Sequence, residues 1–296
     1  MSTPLRAAFQ GELGAFSEEA IQQFWGGDVE PVPCREFRDV ADALANGSVD
    51  RAVLPIENTI VGSVQGAHDV IDGTPGIHAI AETVVAVHHC LLGPPGATFD
   101  RVRDVFSHPV ALAQCGVFFR ANPRLTVHAV YDTAGAAVDV SNLADPQFAA
   151  VASRISAMRY SLDVLVADIE DRPDNQTRFI AFARTPQPLP SGTPARTMLL
   201  LTTKDVPGAL LEALSPLARH GINVRRIETR PTGEPWSYRF FVEFDHQAGD
   251  EAADALVTEI AALAHEVRMV GTYPRWAPGR RGSIGWKSGS LPLVDE

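Results

Sequence analysis

Thr185-Pro186-Gln187-Pro188-Leu189-Pro190-Ser191-Gly192-Thr193-Pro194 carries four prolines with serine and glycine, a composition that continues neither a helix nor a central strand. The hydrophobic pattern changes across this stretch, which marks it as a linker. Beyond it, Met198 to Thr203 predicts a strand, and Pro207-Gly208 opens a helix with Leu210, Leu211, Leu214, Leu217 and Ala218 on one face. Val224 to Thr229 predicts a second strand. Tyr238, Phe240, Val242 and Phe244 alternate with Arg239 and Glu243, as on a half-exposed antiparallel strand. A helix over Glu251 to Ala264 and a strand over Val267 to Thr272 complete βαββαβ, a ferredoxin-like unit.

Before the linker, short apolar strands alternate with helices, the pattern of an α/β domain. Leu5 to Phe9 predicts a strand, followed by Gly11-Glu12-Leu13-Gly14-Ala15-Phe16-Ser17 and a helix over Glu18 to Trp25 with Ser17 as its cap. Such a turn offers backbone N–H groups to an anion, and equally suits an ordinary βα connection. Pro31 to Arg35 and Ala52 to Pro55 predict strands, with a helix over Phe37 to Ala45 between them. The next strand end clusters an acid, an amide and a hydroxyl in Glu57, Asn58 and Thr59, before a helix over Val64 to Ile71. Strand ends are where ligands bind in α/β sheets, although Glu57 suits a structural bridge as well as catalysis.

Glu82 to Leu92 predicts a nearly unbroken apolar strand containing His88 and His89. Neighbours on a strand point to opposite faces, so these histidines are expected to pack or hydrogen-bond rather than chelate one metal. A strand over Val102 to Phe106 leads to Ser107-His108-Pro109 and a helix over Val110 to Arg120; His108 suits either acid–base work or loop orientation. Leu125 to Tyr131 and Phe148 to Ala152 predict strands, with Asp132-Thr133-Ala134-Gly135 and Ser153 opening the helices that follow. Several small or polar strand ends before helices suggest two α/β lobes with backbone amides converging on a cleft.

The last segment before the linker is Asp174-Asn175-Gln176-Thr177-Arg178-Phe179-Ile180-Ala181-Phe182. A hydroxyl beside a guanidinium at a strand entrance suits an anionic substrate that needs a donor at its reacting oxygen. A net charge of -11 over 296 residues argues against nucleic acid or an anionic membrane as partner. Cys34, Cys90 and Cys115 lack metal-ligand spacing and predict reduced thiols in a cytoplasm. No apolar run reaches bilayer length, and Met1 to Gln10 lacks the pattern of a secretory signal.

Taken in order, Gly11–Ser17, Leu54-Pro55-Ile56-Glu57-Asn58-Thr59 through Gly62, Ser107-His108-Pro109 with Gln114-Cys115, and Asn175-x-Thr177-Arg178-Phe179 resemble the catalytic motifs of prephenate dehydratases. Gly208-Ala209-Leu210-Leu211 and Glu228-Thr229-Arg230-Pro231 resemble the family's regulatory ACT motifs, with Thr229 where serine is usual. The resemblance implies a two-lobed, periplasmic-binding-protein-like catalytic domain over 1–184, a linker over 185–194, an ACT domain over 195–275 and a flexible tail over 276–296. It implies loss of CO2 and water from prephenate to give phenylpyruvate, without cofactor or metal.

Carried over, Thr177 donates to the departing oxygen, Arg178 holds the side-chain carboxylate, and Glu57 and Asn58 complete the catalytic set. Ser17, Thr59, Ser107, His108, Thr133, Ala134, Asn175 and Phe179 are then expected to bind substrate. Gly208, Ala209, Leu210, Leu211, Asn223, Glu228, Thr229 and Arg230 are expected to bind phenylalanine as feedback inhibitor in a homodimer or homotetramer. Asp132-Thr133-Ala134 stands where bacterial members often have Ser-Thr-Ala. With Val87 to Leu92 it is similar to plant arogenate dehydratases, which keeps arogenate open as the substrate. A non-catalytic amino-acid sensor and a decarboxylase that stops before aromatisation are further alternatives; the intact Thr177 motif speaks against both.

Overall fold

A computed structural model describes residues 4–277. The first lobe contains β1 (Leu5–Gln10), β2 (Val29–Cys34), β3 (Arg51–Asn58), β4 (Gly62–Ser63) and β5 (His78–Ala86). Its helices are α1 (Phe16–Trp25), α2 (Phe37–Ala45) and α3 (Gln65–Gly73). The chain then crosses and builds a second sheet from β6 (Cys90–Gly93), β7 (Asp104–Ser107), β8 (Thr126–Ala129), β9 (Phe148–Ala152) and β10 (Asp163–Val166). Here the helices are α4 (Pro109–Gln114), α5 (Gly116–Ala121), α6 (Thr133–Leu143) and α7 (Arg154–Arg159). It returns as β11 (Gln176–Ala183), which inserts antiparallel between β3 and β5 to give the order β2-β1-β3-β11-β5. The second sheet runs β10-β6-β9-β7-β8, so two lobes are joined by an outward crossing between β5 and β6 and a returning one between β10 and β11.

Insertion of β11 in mid-sheet explains its apolar run, because both faces are covered. Phe179 and Ala181 join Phe9, Ile21 and Phe24 beneath α1. Ile180 and Phe182 face the opposite way, into a core with Leu54, Ile71 and Phe241. The alternation of strand side chains thus sends odd positions of β11 to one core and even positions to another.

Several boundaries differ from expectation. The run from Glu82 to Leu92 is two strands, because Val87-His88-His89 is the crossing between lobes. The helix expected over Val110 to Arg120 divides at Cys115 into α4 and α5. Ser17 lies inside α1 rather than capping it; Ala15 holds the cap position without a side-chain bond.

After a connection from Arg184 to Thr193, β12 (Pro194–Thr202), α8 (Ala209–Arg219), β13 (Val224–Pro231), β14 (Tyr238–Gln247), α9 (Glu251–Leu263) and β15 (Glu266–Pro274) form the expected βαββαβ unit. Its sheet runs β13-β14-β12-β15. One face packs α8 and α9 through Leu199, Leu217, Val242, Phe244, Leu256 and Ile260. The other face merges Met198, Leu200, Phe241, Val270 and Tyr273 with the first lobe's core. Gly271 lies so close to β5 that a Cβ there would meet the Ala79 carbonyl oxygen at 2.2 Å. The alternation along β14 predicts an exposed Glu243, yet that residue is wholly buried because its face meets the first lobe. The tail expected to be flexible lies, from residue 278 on, outside the described residues. No described helix is long and apolar enough to cross a membrane.

Candidate active site between the lobes

The turn after β1 meets the second lobe. The Gly14 carbonyl accepts hydrogen bonds from Ser153 Oγ at 2.6 Å and Ser156 Oγ at 2.9 Å. Tyr160 donates its hydroxyl to the Leu13 carbonyl, and Tyr131 donates to Glu12 Oε1 at 3.2 Å. Gly14 has φ +93, and a Cβ there would sit 2.7 Å from Ser156 Oγ, so glycine is required on two counts. Its N–H donates to Glu18 Oε2, a buried carboxylate that also pairs with Arg159. That donor of the anticipated anion cradle is therefore already engaged.

Thr177 stands at the entrance of β11, opposite Asn58 in register. Asn58 Nδ2 lies 3.0 Å from Thr177 Oγ1 and 2.8 Å from Asn175 Oδ1. Asn175 Nδ2 in turn reaches Gln114 Oε1 at 3.1 Å, and His89 Nε2 reaches the same oxygen at 2.8 Å. Asn175 is fully buried, so it positions Asn58 rather than reaching into the cleft. Thr59 donates to the Asp174 carbonyl and accepts from the Gln176 N–H, both at 2.9 Å, which pins the β11 entrance to the end of β3.

Arg178 has a different place. One residue on from Thr177, it points to the opposite face, away from the loops that line the lobe junction. Arg178 Nε donates to Glu57 Oε1 at 2.7 Å, and its terminal nitrogens donate to Glu82 at 3.0 Å and Glu243 at 2.8 and 2.9 Å. Burial opposes its charge, yet Glu243 holds the guanidinium protonated well above its ordinary range. Burial likewise opposes ionisation of Glu243, and Arg178 prevails to keep that carboxyl below the usual carboxylate range. Glu57 also pairs with Arg226 of β13 at 3.0 Å. The expectation that Arg178 holds a substrate carboxylate is thus corrected: with Glu57, it joins the catalytic domain to the C-terminal sheet.

Ser107 and Phe179 are corrected as well. Ser107 is buried and donates to the Val151 carbonyl at 2.6 Å, tying β7 to β9. Phe179 belongs to the core beneath α1. His108 caps α4, its Nδ1 accepting from the Val110 N–H at 3.2 Å. Thr133 and Ala134 form the first turn of α6, which Asp132 caps by accepting from the Gly135 N–H at 2.9 Å. Ser17 is buried in the first turn of α1. The sequence does not reveal Glu82, Glu243 and His68, because their partners come from distant strands and only the closed fold brings them together; Gln114 lies in a motif that resembles the family's catalytic ones, and the fold gives it a partner in Asn175. The ligand atoms of His88, Asp168 and Glu170 lie within 4.8 Å of one another, with Arg154 bound to Asp168 at 3.2 Å.

In the C-terminal unit, Gly208 occupies the left-handed region with φ 87 and opens α8, with open space where a side chain would project. Leu210 packs against the core under α8, whereas Leu211, Asn223 and Thr229 are exposed. Ala209 is partly exposed beside them. Glu228 and Arg230 turn the other way: Ser63 donates to Glu228 Oε2 at 2.5 Å, and Arg230 binds Asp69 at 2.9 Å.

This contact has a proton-sensitive member. His68 of α3 is fully buried, its Nδ1 donating to the Val64 carbonyl at 2.9 Å while Nε2 accepts from Arg226 at 2.9 Å. Burial, and after it the Arg226 cation, keep His68 neutral below its ordinary 6.5, against the opposing pull of Glu228 and Glu243. An unfolded chain takes up that proton first, so stability should fall as pH drops below 6.5 towards the folded value. Urea midpoints from pH 7.5 to 5 check this: the wild type should lose stability on acidification, and His68→Gln should flatten the slope.

The prephenate dehydratase family model matches residues 7–187, and the ACT domain model matches residues 197–262. The chain belongs to the prephenate dehydratase family. It is 37% identical to arogenate dehydratase/prephenate dehydratase 2, chloroplastic, of Arabidopsis thaliana, over 91% of this chain and 73% of that one. A prephenate dehydratase from Arthrobacter aurescens, solved in complex with L-Phe, superposes with a TM-score of 0.84 at 30% identity, covering 92% of this chain and 90% of that one. A structure described as GqqA, a novel type of quorum quenching acylase, also scores 0.84 at 33% identity, covering 92% and 98%. Membership makes the chain a hydro-lyase with a C-terminal ACT domain.

Proposed function

We propose that this chain acts on prephenate, removing CO2 and hydroxide together to give phenylpyruvate, with phenylalanine as feedback effector at the ACT domain. The observation that carries the proposal is the Thr177 hydroxyl at the lobe junction, held by Asn58 at 3.0 Å. Aromatisation supplies the driving force, so the protein must orient the diacid and hydrogen-bond the departing oxygen. Threonine is a weak acid and acts here as a donor. With Arg178 engaged elsewhere, the side-chain carboxylate falls to the first N–H groups of α1 and α6, at Ser17, Thr133 and Ala134. The departing carboxylate is best left weakly bound, since its charge vanishes as CO2 forms. Phenylpyruvate formation from purified prephenate, with and without phenylalanine, tests both parts. No product from prephenate would exclude the first.

One observation favours arogenate as a second substrate. Asp132 caps α6 beside Gly11, and its Oδ1 would lie 3.4 Å from a Cβ at that glycine. A carboxylate there suits the ammonium of arogenate better than the ketone of prephenate. Asp132→Ser should therefore lower kcat/KM for arogenate about tenfold relative to prephenate, the size of one charge-assisted hydrogen bond. Equal losses on both substrates would show that Asp132 only caps the helix.

The described thiols are poor candidates for the nucleophile of an acylase such as that described for GqqA. Burial pushes Cys34, Cys90 and, furthest of the three, Cys115 above their ordinary range. The open edge strand β13, with Ile227 and Leu211 exposed, supports pairing of C-terminal sheets in at least a homodimer. Light scattering at micromolar concentration checks that state.

A further inference from the structure

The hydrogen bonds behind Thr177 have only one consistent direction. Asn58 Oδ1 accepts from the backbone N–H groups of Ile60 at 2.9 Å and Val61 at 3.0 Å. Main-chain donors cannot be reversed, so Asn58 must turn its Nδ2 towards Asn175 and Thr177. Asn175 then accepts with Oδ1 and donates with Nδ2 to Gln114 Oε1. That oxygen also faces His89 Nε2 at 2.8 Å, so this nitrogen must carry a hydrogen.

At the other end, the Thr177 oxygen accepts from Asn58, and its single hydrogen is left to donate elsewhere. His89 is held firmly in the crossing between the lobes. It is 2% exposed, its backbone N–H donates to Glu170 Oε2 at 2.9 Å, and the Phe16 ring packs edge-on against its imidazole at 5.7 Å. Its Nδ1 is buried with no hydrogen-bond partner, so Gln114 alone sets the polarity of the ring.

We propose that His89 is a positioning residue for the dehydration: its Nε2–H holds Gln114 Oε1 towards Asn175 Nδ2, and so keeps Asn175 Oδ1 on the Asn58 amide that supports Thr177, leaving the Thr177 hydrogen free for the cleft. Without that donor, Gln114 can rotate its NH2 towards the Asn175 NH2, which sets two donors against each other and slackens the hold of Asn175 on Asn58, while Ile60 and Val61 keep Asn58 itself oriented. The proposal rests on the dehydratase reading above and extends it to a residue in the crossing between the lobes.

The test compares wild type, His89→Gln and His89→Leu with prephenate as substrate. Glutamine can place an N–H where the imidazole had Nε2, whereas leucine keeps bulk alone. His89→Leu should lower kcat roughly three- to tenfold, the worth of one net hydrogen bond, with little change in KM, and His89→Gln should recover most of the loss. Nitrogen NMR of histidine-labelled wild type should show the Nε2–H tautomer at this ring whether or not the leucine variant folds. An Nδ1–H tautomer, unchanged kcat in His89→Leu, or equal losses in both variants would overturn the proposal. A wild type inactive on prephenate and arogenate would instead sink the dehydratase reading itself, and the proposal with it.

Discussion

Thr177→Val should lower kcat about a hundred- to a thousandfold while leaving substrate affinity within about threefold. The isostere keeps the branched shape at the entrance of β11, so the packing of Phe179 and Ala181 below it is preserved. What disappears is the hydroxyl proposed to donate to the leaving hydroxide, together with the acceptor that Asn58 Nδ2 uses at 3.0 Å. A loss in kcat without a matching rise in KM identifies an interaction made in the transition state. Steady-state rates on prephenate, with binding measured separately by calorimetry, distinguish the two. A valine variant with near-normal turnover would remove Thr177 from the chemistry.

The architecture was legible because it is written in local patterns. Proline density marked the connection after β11, and period-two and helical repeats gave the C-terminal βαββαβ unit its elements. Thr177, Asn58 and Asn175 come together because β3 and β11 pair in register. Other features were not local. Glu243 reads as a solvated position on β14, and nothing in its neighbours announces that the face is covered by another domain. The place of Arg178 is legible in the sequence: adjacent strand residues face opposite ways, so Thr177 and Arg178 cannot both line the cleft. His88 and His89, by contrast, lie in the crossing between strands, where backbone alternation no longer applies.

Arg178→Met separates the two possible duties of that residue. As a clamp for substrate, its loss would raise KM steeply and leave the fold alone. As the structure has it, the variant strands Glu243 and Glu82, whose side chains are 0% and 2% exposed, without their main cation. Removing one partner of such a buried set costs about 3–5 kcal/mol, most of it the desolvation of the charges left behind. Arg196 still reaches Glu82 at 3.1 Å, and Arg226 reaches Glu243 at 3.5 Å, so the loss should sit towards the lower end of that range. Adding Glu243→Met to Arg178→Met removes the stranded carboxylate and should recover part of the stability, with a coupling of about 1–3 kcal/mol across the cycle. Hydrogen exchange along β11 and β14 locates the damage, since these strands carry the two partners. KM for prephenate, measured at low temperature on the folded fraction, should stay within about threefold of wild type. A large rise in KM with unchanged exchange would return Arg178 to the substrate and overturn its place at the domain contact.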